Sequence, residues 1–268
     1  MNIGFLITGR LKSSRLKLKI LKPLNGFSVI ERVIHRAKQV KECNDIVLCT
    51  SHLNQDLPLV RIAKDNNIYY YNGSEEDVLQ RLLDAAKLFE MDYFVGITAD
   101  NPLFSIHHAN MISDIIKSDH SLDFVYTTGL PVGTNIYAIK TKALKTVCTI
   151  KEEIDTEIWG YLINRPEIFN VKEIKADNQY KSKDYRMTLD EINDYEFFSK
   201  LYSKFPKDEV VDLLDAYRCL ERNPEIANVN KNVIQRDLDE SIKNRITKFY
   251  VDNKVKILDV KKNIYSEQ

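Results

Sequence analysis

Short apolar segments alternate with helical patterns over the first half of this 268-residue chain. The helical patterns repeat apolar residues at spacings of three and four, which is the period of an amphipathic helix. This alternation predicts an α/β fold with a doubly wound, mostly parallel sheet, and ligands at the carboxyl ends of its strands. Four segments have the length and composition of buried strands: 4–8, 45–50, 68–71 and 93–98.

Two of the expected helices have recognisable N-terminal signals. Ser28 and Glu31 fit a capping box at the start of the first helix. Ser74 is expected to cap a helix that runs through Leu88, with acidic residues in its first turn, where they complement the helix dipole.

The alternation changes after residue 120. Further strands are expected at 123–127, 134–139, 169–174 and 185–189, and further helices at 153–164, 191–202, 208–221 and 233–249. We interpret residues 1–222 as one domain and residues 223–268 as a charged C-terminal extension, because no linker or internal repeat separates smaller units.

Composition narrows the class of protein. Lys and Arg together number 39, as do Asp and Glu, so the chain lacks the basic excess that a nucleic-acid partner favours. The four cysteines are scattered, which favours reduced thiols over a disulfide scaffold or a zinc site. No apolar run reaches the roughly 18 residues of a membrane helix. We therefore expect a soluble, cytoplasmic protein that binds neither nucleic acid nor membrane.

The loop after the first strand is the first candidate site. Residues 10–19 carry five cationic side chains and two hydroxyl groups. At the end of a buried parallel strand, Arg15 and Lys19 would neutralise a triphosphate, while Ser13, Ser14 and backbone N–H groups would bind its oxygens. A solvated basic loop is the alternative that the residues alone leave open.

Two aspartates form the second candidate site. Asp100 follows the strand 93–98, and Asp190 ends the expected strand 185–189. Carboxylates at two strand ends suit Mg²⁺, whose other ligands are water and phosphate oxygens. Asp190 equally suits a helix cap, so the residues alone leave both interpretations open.

Other polar features of the sequence point less clearly to a binding or catalytic site. The segment 73–81 is typical of a well-capped surface helix, and its Arg81 lies near enough to the first turns to reach a nucleotide. The five histidines lack the spacing of metal ligands, and the Walker A, G-x-G-x-x-G and G-x-S-x-G motifs are absent from the sequence.

Five segments, in order, resemble one enzyme family. The loop 10–19, R-L-K-S-S-R-L-K-L-K, is similar to the R-x-x-S-x-R-L-P-G-K loop of the cytidylyltransferases that activate Kdo and nonulosonic acids. The chain most resembles the SpsF-like branch, which serves spore-coat polysaccharide synthesis. Four other segments match the family in order. Segment 73–81 is similar to its G-S-E-x-D-V-L-x-R, 97–103 to its I-T-G-D-x-P-L, and 188–194 to its T-V-D-T-x-E-D. Residues 212–215, with 223–225 and Asn230, resemble the C-terminal ending of the SpsF-like branch.

The resemblance implies a Rossmann-like fold of the nucleotide-diphospho-sugar transferase type, with CTP as co-substrate and Mg²⁺ as cofactor. An acidic sugar would attack the α-phosphorus and release pyrophosphate, for surface-glycan synthesis. The family also implies a homodimer that pairs through a small inserted β region, here about residues 120–175.

The motif match also implies roles for individual residues. The residues expected to act in catalysis are Arg15, Lys19 and Asp100. The remaining roles are triphosphate binding by Arg10, Ser13, Arg15 and Lys19, metal binding by Asp100 and Asp190, and contact along the nucleotide by Asp77 and Arg81.

This chain departs from the family pattern in three places. Lys12 and the pair Lys17-Leu18 replace residues of the loop that include glycines, so the loop is expected to follow a different path or to move less. Glu157 stands where the SpsF-like branch has a histidine on the acceptor side. The segment 134–140 looks more like the Kdo-activating branch. The identity of the acceptor is therefore the least transferable property.

Two alternatives follow from these departures. A phosphorylated or phosphonate acceptor would offer a phosphate oxygen as nucleophile, with Lys12 and Lys17 as additional cations. A non-catalytic nucleotide-binding protein would keep the fold without turnover.

Overall fold

The computed structural model describes residues 1–13, 15–152, 159–235 and 238–267, with Trp159 described by its backbone alone. Nine strands lie within these residues: β1 Ile3–Thr8, β2 Pro23–Leu24, β3 Phe27–Ser28, β4 Ile46–Ser51, β5 Tyr69–Gly73, β6 Tyr93–Thr98, β7 Phe124–Thr128, β8 Tyr137–Lys140 and β9 Val171–Lys175. All but β2 and β3, which form a small hairpin, belong to one sheet.

The strand order in the main sheet is β5-β4-β1-β6-β8-β7-β9. The strands β5, β4, β1 and β6 pair in parallel, with β1 between β4 and β6. Strand β8 runs antiparallel to both β6 and β7, and β9 pairs in parallel with β7. Strand β1 is buried along its whole length, as expected for a central strand that is covered on both faces.

Helices cover both faces of the sheet. Those in the described residues are α1 Val29–Ala37, α2 Leu57–Asp65, α3 Val78–Leu88, α4 Ile106–Ser118, α5 Thr141–Ile150, α6 Trp159–Ile163, α7 Ile192–Tyr202, α8 Leu213–Arg222, α9 Pro224–Ala227, α10 Glu240–Asp252 and α11 Lys254–Ser266. One core cluster joins α1, α2 and α4 to the sheet, and a second joins α3, α5 and the last helices. The predicted α/β architecture with a helical C-terminus is therefore confirmed.

The C-terminal helices pack against the body of the protein. Ile246, Tyr250 and Ile257 belong to the second core cluster, and the Tyr250 hydroxyl donates to the carbonyl oxygen of Leu162 at 2.7 Å. In α11, Lys261 lies 2.6 Å from the buried Asp123 carboxylate at the start of β7. Apolar and ionic contacts together hold these helices on one face of the sheet.

Several predictions of local structure are confirmed, and others are wrong. The capping box of Ser28 and Glu31 is present at α1. Ser74 does not cap α3: Asp77 accepts the N–H of Gln80 instead, so the acidic residues lie before the helix rather than in its first turn. The predicted strand 185–189 is wrong, because its only β pairing in the described chain is an isolated bridge between Arg186 and Val132.

Other boundaries differ because tertiary pairing decides them. The expected strand 134–139 begins only at Tyr137, where pairing with Gly96 starts. The periodicity analysis missed α4, α5 and α11, and the first part of the predicted helix 153–164 lies outside the described residues. In the part of the chain that the structure describes, every helix is too short or too polar to span a membrane.

Candidate active site

The basic loop begins where β1 passes close to the end of β6. A Cβ atom at Gly9 would lie 2.7 Å from the Cβ of Ala99, so glycine is needed for this approach. Two residues later, Leu11 is held by the buried Asp56, which accepts the Leu11 N–H at 2.7 Å. These contacts fix the point from which the loop leaves the sheet.

The first half of the loop contacts the segment that follows β5. The Arg10 guanidinium donates to the carbonyl oxygen of Glu75 at 3.0 Å. Lys12 pairs with the Glu75 carboxylate at 2.8 Å, and its side chain is 58% exposed. An exposed pair of this kind contributes little to stability because water screens it.

The second half of the loop places Lys19 between two carboxylates from distant parts of the chain. Its Nζ lies 2.5 Å from Asp100 Oδ2 and 2.9 Å from Asp190 Oδ1. Arg15 reaches the same oxygen of Asp190 at 2.9 Å, and it lies 3.7 Å from Glu191. The structure therefore brings together Arg15, Lys19, Asp100 and Asp190, four of the predicted site residues.

Backbone contacts also join the two aspartates. The Leu189 N–H donates to the carbonyl oxygen of Asp100 at 3.0 Å, which lays the segment before α7 beside the end of β6. The Thr98 hydroxyl donates to Asp100 Oδ1 at 2.6 Å. Asp190 does not cap α7, whose N-cap is Glu191. It reaches the site on a connecting segment, which leaves its carboxylate available to the loop.

Mutual attraction keeps Lys19 and Asp190 ionised. Burial alone lowers the pKa of Lys19, but the carboxylates of Asp100 and Asp190 outweigh it and raise that pKa above its ordinary 10.5. Burial likewise raises the pKa of Asp190, but Lys19, Arg15 and Arg186 outweigh it and hold that pKa below its ordinary 3.8. At neutral pH the ammonium group and the Asp190 carboxylate are therefore both charged.

Two residues expected along the nucleotide make contacts within the protein. Arg81 is 1% exposed, and it donates to the Thr8 hydroxyl at 2.9 Å and to the carbonyl oxygen of Ser74 at 2.7 Å. Asp77 caps α3 and pairs with Lys151. Arg81 holds the turn after β5 against the end of β1.

The remaining parts of the loop bear on its departures from the family pattern. Ser13 accepts the Leu16 N–H at 3.4 Å, and Ser14 lies outside the described residues, as does Glu157. Leu18 has a φ of 53°. Leucine thus adopts, in place of glycine, the left-handed conformation that glycine adopts without strain. A positive φ is therefore present at this position although the glycine is absent.

The donor chemistry of the aspartate pair fits a divalent cation. Asp100 and Asp190 both bind the Lys19 ammonium group, so their oxygens already converge on one cation. In the described chain, no group of three or more His, Cys, Asp or Glu residues could hold a metal. A site with two protein carboxylates suits Mg²⁺, which keeps water and phosphate oxygens as its other ligands.

A cavity of about 380 Å³ opens at the same end of the sheet. Tyr137 in its wall pairs with Gly96, two residues before the end of the strand that leads to Asp100. Its walls combine aromatic rings with hydroxyl and amide groups: Phe124, Tyr126, Thr127, Asn135, Ile136, Tyr137, Gly160, Tyr161 and Asn164. Such a lining suits a molecule with both ring faces and hydroxyl groups.

Comparison with known proteins agrees with this geometry. Residues 5–252 match the family described as cytidylyltransferase. The chain belongs to the cytidylyltransferase family. Members of this family are nucleotidyltransferases, so the chain is a transferase enzyme of that class.

Individual relatives extend the match over most of the chain. A protein of Methanocaldococcus jannaschii, MJ1063, is 30% identical over 90% of this chain and 99% of its own length. The spore coat polysaccharide biosynthesis protein SpsF of Bacillus subtilis is 26% identical over 84% of this chain and 97% of its own length. The solved structure of a cytidylyltransferase from Leptospira borgpetersenii superposes with a TM-score of 0.78, at 26% identity, over 88% of this chain and all of its own. The resemblance to the SpsF-like branch is confirmed.

Sequence reasoning gave no role to a second group of residues behind Asp190. Arg186 donates to Asp190 Oδ2 at 2.9 Å, and Asp194 and Asn230 lie behind it. Asp194 and Asn230 fall within the segments that resemble the family. Only the fold shows that Asn230 contacts Arg186 and Asp194, because it lies far from them in the chain.

Proposed function

We propose that this enzyme transfers CMP from CTP to an acidic sugar of the Kdo or nonulosonate type and releases pyrophosphate. The observation that carries this proposal is the Lys19 ammonium group held between Asp100 and Asp190. A cation-bearing loop that meets a carboxylate pair at the end of a parallel sheet supplies both signs of charge that a metal-bound triphosphate needs.

The loop would bind the triphosphate. Arg15 and Lys19 are held at the carboxylates, and Arg10 stands at the start of the loop. On nucleotide binding, Lys19 would exchange carboxylate oxygens for phosphate oxygens, which keeps its charge compensated throughout. Backbone N–H groups and Ser13 would add hydrogen bonds to the same oxygens.

Asp100 and Asp190 would hold Mg²⁺. When bound, the metal neutralises negative charge on the phosphate oxygens and polarises the α-phosphoryl group. The contribution of the chain is to hold both carboxylates close to the basic loop and to keep Asp190 ionised, as its lowered pKa indicates.

In the reaction, an acceptor hydroxyl oxygen would form a new bond to the α-phosphorus. The bond between that phosphorus and the bridging oxygen would break, pyrophosphate would leave, and the hydroxyl proton would pass to solvent. Positioning and charge neutralisation carry most of the catalysis in such a transfer. A nucleophilic side chain is not required.

The cavity beside β8 is the best candidate for the acceptor site. Its volume of about 380 Å³ suits a sugar, and its tyrosine rings and asparagine amides suit sugar ring faces and hydroxyl groups. The cavity wall and Asp100 lie at the same end of the sheet. An acceptor in the cavity would therefore stand near the proposed metal.

Pyrophosphate release tests this proposal. The purified enzyme is incubated with CTP, Mg²⁺ and a panel of 2-keto sugar acids and phosphorylated metabolites, with UTP and ATP as control nucleotides. We expect release that needs CTP, metal and a 2-keto sugar acid. Release with a phosphorylated acceptor alone would overturn the acidic sugar and support the phosphorylated alternative.

Two variants test the site within the same assay. Asp100→Asn and Asp190→Asn should each lower turnover by about 100-fold or more, because each removes a charge that acts on the transition state. Asp114→Asn, an exposed aspartate on α4, is the matched control and should leave turnover unchanged. Retention of turnover by both active-site variants would refute the metal assignment.

The homodimer and the cytoplasmic location stay predictions from the sequence.

A further inference from the structure

The two carboxylate oxygens of Asp190 face different partners. Oδ1 accepts from Lys19 and Arg15, both at 2.9 Å, on the side of the basic loop. Oδ2 accepts from Arg186 at 2.9 Å, on the side of the protein interior. Oδ1 thus faces the proposed triphosphate site, while Oδ2 is hydrogen-bonded to Arg186.

Arg186 bridges Asp190 to a second, fully buried aspartate. Its Nε donates to Asp194 Oδ1 at 2.9 Å, and Asp194 is 0% exposed. The other oxygen of Asp194 accepts the backbone N–H groups of Asp190 at 3.0 Å and Glu191 at 2.9 Å. Asp194 therefore holds the main chain of Asp190 and, through Arg186, its side chain as well.

The chain beyond α9 completes this arrangement. The Asn230 amide donates to Asp194 Oδ1 at 2.9 Å and to the carbonyl oxygen of Arg186 at 3.0 Å, and Asn230 is 1% exposed. Arg186 also donates to the Gln235 side chain. The C-terminal part of the chain thus contacts the back of the candidate active site.

We propose that Arg186, Asp194 and Asn230 act as positioning residues that fix the rotamer of Asp190 and present its Oδ1 to the metal. This inference rests on the proposed function, in which Asp190 is a metal ligand. None of the three residues needs to touch a substrate. Outer partners that orient a ligand are worth about 10- to 100-fold in metal affinity or activity, because a ligand free to rotate loses binding energy when it is immobilised.

The charge of Arg186 has a second consequence. Asp194 is buried and accepts five hydrogen bonds in this arrangement, so its oxygens are satisfied without the metal. Loss of Arg186 would leave two neighbouring carboxylates with less compensation and free the Asp190 side chain to turn. A lysine at this position would keep the charge but lose the planar fork that reaches both aspartates.

The test measures Mn²⁺ binding by the full-length protein, with CTP present and acceptor absent. Electron paramagnetic resonance of the free ion is the readout. Arg186→Lys and Asn230→Asp should each weaken Mn²⁺ binding by about 10-fold or more. Asn223→Asp is the matched control, because among the described residues the Asn223 amide donates only to Cys219, outside this arrangement. It should bind Mn²⁺ within about twofold of wild type.

A double-mutant cycle separates positioning from a merely structural role. Thermal unfolding first shows that each variant is folded at the temperature of the titration. In an Asp190→Asn background, Arg186→Lys should then cause no further loss of Mn²⁺ affinity, because its effect passes through Asp190. An equal further loss in that background, or Mn²⁺ binding by Arg186→Lys at the wild-type affinity, would overturn the inference. Absence of Mn²⁺ binding by the wild-type protein would instead overturn the metal site and the inference with it.

Discussion

The two halves of the basic loop use their charges differently. Arg10 donates to a backbone carbonyl oxygen, and the first half otherwise makes an exposed ion pair. Lys19 is held at Asp100 and Asp190, two carboxylates at the end of the sheet. A charge paired with carboxylates can exchange them for phosphate oxygens and a metal, whereas a charge on a backbone carbonyl oxygen mainly fixes the loop. We therefore expect Arg15 and Lys19 of the second half to contribute more to triphosphate binding than Arg10 and Ser13 of the first.

The same contrast extends to the helix beside the first half. Arg81 and Asp77 were expected to lie along the nucleotide, yet Arg81 is buried against Thr8 and Ser74, and Asp77 caps its helix. We infer that these two residues shape the nucleotide site from behind. Their replacement should therefore act first on stability, and replacement of Lys19 should act first on nucleotide binding.

The largest expected effect is that of Lys19→Met on CTP affinity. Loss of a charge-assisted contact should weaken CTP binding by about 10- to 100-fold, as measured by calorimetry in the presence of Mg²⁺. The same variant should bind Mn²⁺ more tightly than wild type when CTP is absent, because the two carboxylates no longer share an ammonium group.

Lys117→Met is the control for this experiment. Lys117 on α4 forms an exposed ion pair with Glu42, so its loss should leave CTP and Mn²⁺ binding at the wild-type values. If Lys19→Met binds CTP as tightly as this control does, the second half of the loop does not hold the triphosphate.

Arg81→Met should lower stability by about 2 kcal/mol, because Thr8 and the Ser74 carbonyl oxygen each lose a buried donor. Urea unfolding measures the change. The CTP affinity of the folded variant should fall much less than that of Lys19→Met. Unchanged stability together with a large loss of CTP affinity would show that Arg81 contacts the nucleotide directly.

Asp77→Ala should lower stability by about 1 kcal/mol through the lost helix cap, with an additional loss from its pair with Lys151. Asp77→Asn keeps the capping oxygen and should lose only the second part. Asp212→Ala is the matched control, because Asp212 also caps a helix, α8, and forms no ion pair with any described residue. Equal losses for Asp77→Ala and Asp77→Asn would mean that the cap contributes nothing.

Leu18→Gly should raise stability by about 0.5 kcal/mol. Relief of a left-handed leucine is worth roughly 1–2 kcal/mol, and the greater freedom of glycine in the unfolded chain offsets part of this gain. Leu18 is half exposed, so little apolar burial is lost. A loss of stability on denaturant unfolding would indicate that the leucine makes a contact that the φ angle does not reveal.

Local patterns predicted those parts of the fold that depend on neighbouring residues. The capping box of α1 and the strand β6 are present as expected, because both rest on short-range spacing. The start of α3 was misplaced because Asp77, rather than Ser74, provides the cap, and several acceptable capping residues stand in a row there. The predicted strand 185–189 failed because it lacks a neighbouring strand, which its own composition does not encode.

The candidate site was predictable where a strand end set its position. Asp100 follows β6 and the basic loop follows β1, so their meeting follows from a parallel sheet. The position of Asp190 was expected for the wrong reason, since a backbone contact with Asp100 places it there rather than a strand of its own. The contacts of Asn230 depend on the tertiary packing of distant segments, so spacing along the chain does not predict them.

A crystal structure with CTP and Mg²⁺ tests the central claim most directly. The account predicts a metal ion bound by Asp100 and Asp190, with the Lys19 ammonium group moved from between them onto the triphosphate, and Arg81 still bound to Thr8 and Ser74. Nucleotide bound elsewhere while Lys19 stays between the two carboxylates would contradict it.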